Sequence, residues 1–242
     1  MKKFVVISLF LLSAVSLAAA QTKPRATPSK IPAKVPVKPG TKPVPVGVAK
    51  EPKVDSGNVS GKTYTNTTFG FEVIFPDTWL IPGDDFEGFM KDKGYDLRVK
   101  VKATDPQMKA NIKRFEKQVT LLLTAYRSLP GTPDNSVVLI SVEDVQDNPK
   151  IKDAVDYFDL MRSQISTMKL PPDFKYSDVG AEKLGAMQFG YLETSSNAGK
   201  KRMYATVRGG YAIMFTLSYS ADDDLVTLRR ILEEGNFSIN AK

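Results

Sequence analysis

Hydrophobic and polar residues alternate along several short segments of this chain. Every second residue of the segment 69–75 is a large apolar one, which is the period of a β-strand with one buried face. The segment 97–103 alternates in the same way and predicts a half-exposed strand. The segment 137–142 is a continuous apolar run bounded by turn residues, so it predicts a buried central strand.

Apolar residues spaced by three and four positions predict three amphipathic helices. The first opens at Asp105-Pro106 and the second at Asn148-Pro149, since an acid or amide N-cap followed by proline is a typical helix start. The third opens with a capping box of Ser220 and Asp223. The apolar stripes are Met108, Ile112, Phe115, Val119, Leu122 and Tyr126, then Ile151, Val155, Phe158, Met161, Ile165 and Met168, and finally Leu225, Leu228, Ile231 and Leu232.

The region between the second and third helices predicts an antiparallel meander. Its strands cover roughly 174–182, 184–195, 201–208 and 211–219, and glycine-containing turns separate the last three strands. The element order predicts an α+β fold, an α/β/α sandwich in which helices cover a mainly antiparallel central sheet.

The first 60 residues have a different composition from the rest of the chain. Residues 1–20 combine two lysines, an apolar run and a small-residue end, which is typical of a secretory signal peptide cleaved before Gln21. Residues 21–60 contain proline and lysine at a four-residue period and predict a disordered Pro/Lys-rich tether. The globular domain is therefore expected over 61–242, in a secreted or periplasmic protein.

Composition removes much of the common catalytic repertoire. The chain contains no Cys and no His, which excludes disulfides, Cys-ligated zinc, cysteine nucleophiles and every His-dependent triad. Of the net charge of +7, the first 20 residues contribute +2, the tether +6 and the remaining 182 residues −1. The basic balance therefore belongs to the tether, which argues against nucleic-acid binding by the globular body. The tether lysines are either solubilising or make weak, salt-sensitive contact with an anionic surface.

The start of the predicted domain carries a recognisable motif. Tyr64, Asn66, Gly70 and Phe71 occur at the spacing Y-x-N-x-x-x-G-F, and a P-x-x-W strand end follows and finishes at Trp79. This pattern resembles the opening of PsbP-like domains, and Phe237 near the C-terminus also fits that superfamily. The resemblance implies an α/β/α sandwich around an antiparallel sheet, and accessory or binding roles rather than catalysis.

Candidate binding residues lie in and beside an acidic loop. They are Trp79, Asp84, Asp85 and Glu87. The acidic side chains offer oxygen ligands for a cation, although the spacing does not match an EF-hand, and a solvated surface loop is the alternative. Trp79 is expected either as a core plug or as an exposed ligand platform.

Two further patterns favour structure over chemistry. Ser166 and Lys169 match S-x-x-K, but they end a helix, whereas a catalytic serine of this type begins one, and no K-T-G follows. Asp222, Asp223 and Asp224 begin a helix, where acids ordinarily stabilise the N-terminus. No catalytic residue, metal site or cofactor is therefore predicted. The N-x-S/T sites at Asn58, Asn66 and Asn236 matter only in a eukaryotic secretory route.

The sequence predicts a non-catalytic binding or accessory module that docks on an envelope protein. A carrier of a small ligand or lipid, using a cleft between sheet and helices, is the alternative. A hydrolase using carboxylates or a Ser–Lys pair is the third hypothesis. The partner, the ligand and the oligomeric state are not indicated by the residues.

Overall fold

The structure is a computed structural model that describes residues 54–81, 119–129, 136–166, 170–197 and 199–238. The predicted signal peptide, most of the tether, the acidic loop with Asp84, Asp85 and Glu87, and the strand at 97–103 lie outside the described residues. Within the described part of the chain, ten strands form two antiparallel sheets, and two helices pack against them.

The small sheet is built from the N-terminal strands of the described fold. It contains β1 (Asn58–Ser60), β2 (Thr63–Asn66) and β3 (Phe71–Ile74) in the order β1-β2-β3. The predicted alternation is confirmed, because Phe69, Phe71, Val73 and Phe75 are all buried while Ile74 between them is 55% exposed. β1 lies inside the predicted tether, so the last residues of the segment 21–60 belong to the fold.

The large sheet contains the other strands, and its order is β4-β5-β10-β9-β8-β6, with β7 also paired to β8. Its strands are β4 (Val119–Tyr126), β5 (Val137–Asp144), β6 (Lys175–Tyr176), β7 (Gly180–Leu184), β8 (Met187–Ser196), β9 (Gly199–Arg208) and β10 (Tyr211–Tyr219). The predicted meander and the interior position of the 137–142 strand are thereby confirmed.

A tight turn fixes the register of the last hairpin. Gly209 and Gly210 join β9 to β10 with φ of 57° and 81°. Two successive positive φ values are the geometry of a type I′ turn, whose twist matches that of the flanking strands. Tyr211 therefore lies opposite Arg208, and the pairing continues to Tyr219 opposite Lys200.

The two sides of the large sheet face different cores. The odd-numbered residues of β10 join an aromatic core with the small sheet and α2 (Asp222–Glu233), and we name this side the α2 face. The even-numbered residues Ala212 and Met214 join a second core beneath α1 (Ala154–Ile165), and we name that side the α1 face. The sheet is thus covered on both sides, which confirms the predicted α+β sandwich.

Both helices begin later than the sequence predicts. α1 begins at Ala154 rather than at Asn148-Pro149, because Asp153 is the N-cap and its carboxylate accepts from the backbone N–H of Val155 and Asp156. α2 has Ala221 as its N-cap with no side-chain hydrogen bond, so the predicted capping box of Ser220 and Asp223 is wrong.

The predicted first helix is wrong over residues 119–126, which form β4, and its earlier part lies outside the described residues. The register of β4 against β5 shifts between Leu121 and Leu123. Because of this bulge, Leu122 and Leu123 are both buried although they are adjacent. The bulge breaks the two-residue period, so this strand lacks the alternation by which a strand is predicted.

Arg208 ties the two ends of the described fold together. Its guanidinium donates hydrogen bonds to the backbone carbonyls of Phe69 (3.2 Å) and Gly70 (3.0 Å) in the β2–β3 turn, and to the carbonyl of Phe237 (2.8 Å). Glu72 and Asn236 also exchange backbone hydrogen bonds of 2.8 and 2.9 Å. The C-terminal segment therefore closes over the small sheet.

Candidate functional site

An open cleft lies at one end of the large sheet, between β6, the β8–β9 hairpin and the N-terminus of α2. Its volume is about 420 Å³. The side chains that define it include Tyr176, Glu193, Lys200, Tyr219, Asp222 and Leu225. Most of these groups are polar, and Leu225 and the tyrosine rings supply the apolar surface.

The charged groups at the rim of the cleft are paired. Lys200 Nζ lies 2.8 Å from a carboxylate oxygen of Asp222, which joins the β8–β9 hairpin to the start of α2. Glu193 accepts from Arg202, which stands beside it on β9. The rim therefore has fixed positions for both signs of charge.

Arg202 is the centre of a network that forms the wall beside the cleft. Its guanidinium carbon lies 3.8 Å from the centre of the Tyr191 ring and 5.1 Å from that of Tyr204. The same guanidinium bridges Glu182 and Glu193, and its side chain is 13% exposed. Cation–π contact and two carboxylates together hold it in one orientation.

Glu182 connects this wall to α2. It accepts from the Tyr204 hydroxyl (2.8 Å), from Arg202 (3.3 Å) and from Arg229 of α2. One carboxylate thus serves two cations and one hydroxyl, so the wall is arranged before any ligand arrives.

Two phenols at the cleft and its wall have raised pKa values. Burial raises the pKa of Tyr204, and the hydrogen bond from its hydroxyl to Glu182 raises it further. Burial also raises the pKa of Tyr219, and the charge of Glu193 adds to that shift. Both phenols stay protonated at neutral pH and can donate hydrogen bonds, whereas a general base needs a pKa near the working pH.

A second titratable pair is buried on the opposite side of the sheet. The Tyr157 hydroxyl of α1 donates a 2.7 Å hydrogen bond to Glu143 of β5. Burial raises the pKa of Glu143 to about 7, while the bond from Tyr157 lowers it and the charge of Asp144 raises it. Burial, and then the charge of Glu143, also raise the pKa of Tyr157. This pair joins α1 to the sheet and is closed to solvent, with Glu143 only 6% exposed.

The structure places Trp79 in the core, as the structural interpretation expects. Its side chain is 2% exposed, and its ring centre lies 6.0 Å from that of Phe75. No face of the ring is open as a ligand platform. Its companions in the predicted site, Asp84, Asp85 and Glu87, lie outside the described residues, so that site stays a prediction.

Several other residues singled out by the sequence have structural roles. Ser166 is the C-cap of α1 and its hydroxyl donates to the carbonyl of Ser163 (2.7 Å), while Lys169 lies outside the described residues. Asn66 is buried and accepts from the backbone N–H of Phe69 (3.0 Å), which organises the hairpin. Gly70 adopts φ of 69°, which favours glycine.

Asp224 has a role beyond the helix-start capping that the sequence indicates. Its carboxylate is 3% exposed and accepts from Arg127 and from Ser136. It therefore ties the first turn of α2 to the end of β4 and the start of β5. The sequence separations of 97 and 88 residues give no local signal of this contact.

The sequence pattern did not predict that the residues of the cleft and of its wall form a site. Arg202, Glu193 and Glu182 come from three strands and meet only through the register of the sheet. The available signal was the mixture of charged residues and tyrosines in β8 and β9, which is unusual for strands that cross a core.

Neither a protein-family profile nor a curated protein sequence matches this chain. Similar solved structures include a cyanobacterial PsbP from Synechocystis, with 16% identity, a TM-score of 0.40, and coverage of 79% of this chain and 98% of that one. LpqN of Mycobacterium tuberculosis, described as involved in cell envelope biogenesis, has 12% identity and a TM-score of 0.38, with coverage of 69% and 83%.

A protein of Bacteroides thetaiotaomicron has 9% identity and a TM-score of 0.38, and the likeness covers 74% of this chain and 49% of that one. A PsbP is thus among the structural neighbours. Nothing about activity or partners follows from likenesses at this level.

Two further findings concern the described residues alone. Among them, no group of three or more acidic side chains is placed to hold a metal ion. None of the helices in the described ranges has both the length and the apolar character needed to cross a bilayer.

Proposed function

We propose that this protein is an extracytoplasmic, non-catalytic binding module that docks on an envelope protein through the cleft beside α2. The observation that carries the proposal is the open cleft itself, which Tyr176, Lys200 and Asp222 line beside the fixed network around Arg202. Tyrosine is enriched among the residues that dominate interface energetics, and a surface held in place before binding loses little entropy on complex formation. The signal-peptide pattern of residues 1–20 supports the extracytoplasmic location.

The rim of the cleft supplies the other elements of an interface. Tyr176 is 37% exposed at its edge, and its ring lies 5.9 Å from the guanidinium of Arg162. The paired charges of Lys200 and Asp222 give a polar border around the aromatic surface. An apolar centre with a polar rim is the usual anatomy of a non-obligate interface.

Site-specific photo-crosslinking in the native host tests this proposal. A photoreactive phenylalanine analogue replaces Tyr176 at the cleft or Ile74 on the small sheet, both in the full chain. Ile74 is a matched control because it is also exposed, at 55%, and lies on a different sheet. We expect one discrete protein adduct from position 176 that is absent from position 74 and is reduced by Arg202→Ala. Equal adducts at both positions, or none at either, would contradict docking through the cleft.

The volume of the cleft favours a second candidate, a carrier of a small ligand. A volume of about 420 Å³ lies within the usual range of small-molecule pockets, roughly 300–1,000 Å³. Native mass spectrometry of the full chain purified from its host tests this function. A stoichiometric bound mass that Arg202→Ala releases supports the carrier, and only the bare protein mass argues against it.

A further inference from the structure

A row of polar side chains crosses the α1 face near one end of the large sheet. Tyr176 of β6 lies opposite Thr194 of β8. Thr194 in turn lies opposite Lys201 of β9, and Lys201 lies opposite Ser218 of β10. Directly opposed residues in antiparallel strands have Cβ atoms about 4.5–5.5 Å apart and share one side of the sheet. Four strands therefore bring an ammonium group and two aliphatic hydroxyls together.

The orientation of Lys201 follows from its neighbours along β9. Met203 and Ala205, two and four residues further on, lie in the core beneath α1, so Lys201 points to the same side. Lys200 points to the opposite side, where it pairs with Asp222. These consecutive lysines thus differ in their surroundings.

Lys201 has no acidic partner within the described ranges. No hydrogen bond or ion pair joins its Nζ to any residue there, and burial lowers the pKa of Lys201 to about 8. Lys201 is half-buried, so its ammonium group loses part of its hydration without compensation from an opposite charge. At neutral pH the ammonium group of Lys201 is still mostly charged, so the row contains a cation without a counter-ion in the described ranges.

One hydroxyl near this cation has unused hydrogen-bonding capacity. Thr216, one residue pair further along β10 on the same side, is 2% exposed, and its Oγ1 has no hydrogen-bond partner in the described part of the chain. Ser218 and Thr194 are 7% and 5% exposed. Nearly every buried hydroxyl in a folded protein is hydrogen-bonded, so an orphan beside an unpaired cation calls for an explanation.

We propose that this row is a binding site for a small oxyanion, a carboxylate or phosphate group. Lys201 Nζ is the counter-ion of the bound group, and the hydroxyls of Thr194 and Ser218 donate hydrogen bonds to it. Lys201 is partly exposed, and Tyr176 at the edge of the row is also solvent-accessible, so an anion has a route from solvent. The row adjoins the docking cleft at Tyr176 and Thr194, but Lys201 and Ser218 do not line the cleft, so the anion site does not depend on the proposed function.

Thermal melting of the full chain tests the site, with inorganic phosphate or acetate titrated against chloride at constant ionic strength. We expect Tm to rise saturably with at least one anion, by about 5 °C when the sites are filled. Lys201→Met should abolish the saturable rise in Tm. Lys200→Met, on the other side of the same strand, should retain it. A response to acetate alone identifies a carboxylate site, and a response to phosphate alone identifies a phosphate site.

Acylation of lysines by an activated ester gives a second readout that does not depend on melting. At pH 8 the acylation rate of Lys201, divided by its solvent-accessible area, should exceed that of its exposed neighbours. The anion that raises Tm should slow the acylation of Lys201 several-fold and leave that of Lys200 unchanged. A Tm that rises linearly and equally in the wild type, Lys201→Met and Lys200→Met, with no protection of Lys201, would overturn the proposal.

Discussion

The two sides of the large sheet differ in how completely their charged side chains are paired. On the α2 face, Arg202 has two carboxylates and two aromatic rings, and the carboxylate of Asp224 has two donors. On the α1 face, Glu143 has one phenol as partner, and Lys201 has no partner within the described ranges. The apolar cores differ as well, since aromatic residues dominate the core on the α2 face, whereas methionine and aliphatic residues make up most of the core on the α1 face.

This contrast indicates which charges serve the fold. A buried charge that is paired and hydrogen-bonded can offset the loss of hydration, whereas an unpaired one reduces the free energy of unfolding. The α2 face therefore uses its charges to join α2 to the strands. The α1 face retains Glu143 and Lys201 at a cost in stability, which is the pattern expected of groups with a role other than packing.

The largest expected effect comes from breaking the paired side. Asp224→Ala leaves Arg127 and Ser136 without their shared acceptor, so we expect the free energy of unfolding to fall by about 2–4 kcal/mol in chemical denaturation. Asp223→Ala is the matched control, since that residue is adjacent and exposed, and should cost no more than about 0.5 kcal/mol. Equal losses in the two variants would show that Asp224 acts only through the helix dipole.

A smaller effect, of opposite sign, comes from neutralising the acid on the α1 face. Because the pKa of Glu143 rises from 4.5 to about 7 on folding, the native state binds more protons than the unfolded state between those values. Stability should therefore fall as pH rises from 4.5 to 7. Glu143→Gln should raise the free energy of unfolding by about 1–3 kcal/mol at pH 8 and by almost nothing at pH 4.5. A gain independent of pH would contradict burial of the ionised carboxylate.

The smallest effect concerns Lys201 in the absence of an anion. Its pKa falls from 10.5 to about 8 on folding, so the unfolded state binds more protons between those values and stability should rise with pH across that window. Lys201→Met should remove this rise and stabilise the protein by about 1–2 kcal/mol at pH 7.

Other groups titrate in the same alkaline window, so the quantity to compare is the difference between variant and wild type. Lys200→Met should leave the rise with pH intact, because Lys200 is exposed on the other side of β9. A rise that survives in Lys201→Met would contradict the lowered pKa of Lys201, because the tyrosines, whose pKa values are raised on folding, make stability fall as pH rises.

The sequence predicted elements whose signals are local. Gly209-Gly210 marks its hairpin because a type I′ turn needs positive φ at both positions, and the alternation in 69–75 needs only one buried side. The prediction was wrong at β4, because the bulge between Leu121 and Leu123 interrupts the alternation expected of a strand. A register shift depends on the partner strand, which the local pattern does not contain.

The candidate sites were hidden for the same reason. Thr194, Lys201 and Ser218 meet only because three strands adopt one particular register, and a shift by one residue would turn Lys201 to the other side of the sheet. Trp79 is conspicuous in the sequence because it is the single tryptophan, yet its place is the core. Residue type alone does not distinguish a packing role from a binding role.

The bonds from Arg208 to Phe69, Gly70 and Phe237 impose an order on the assembly of the chain. The β2–β3 hairpin is synthesised early, but Phe237, which closes over it, is separated from it by more than 160 positions. The small sheet must therefore wait, with Phe71 uncovered on the side where Phe237 later stacks. Full burial of Phe71 therefore requires nearly the whole polypeptide to be present.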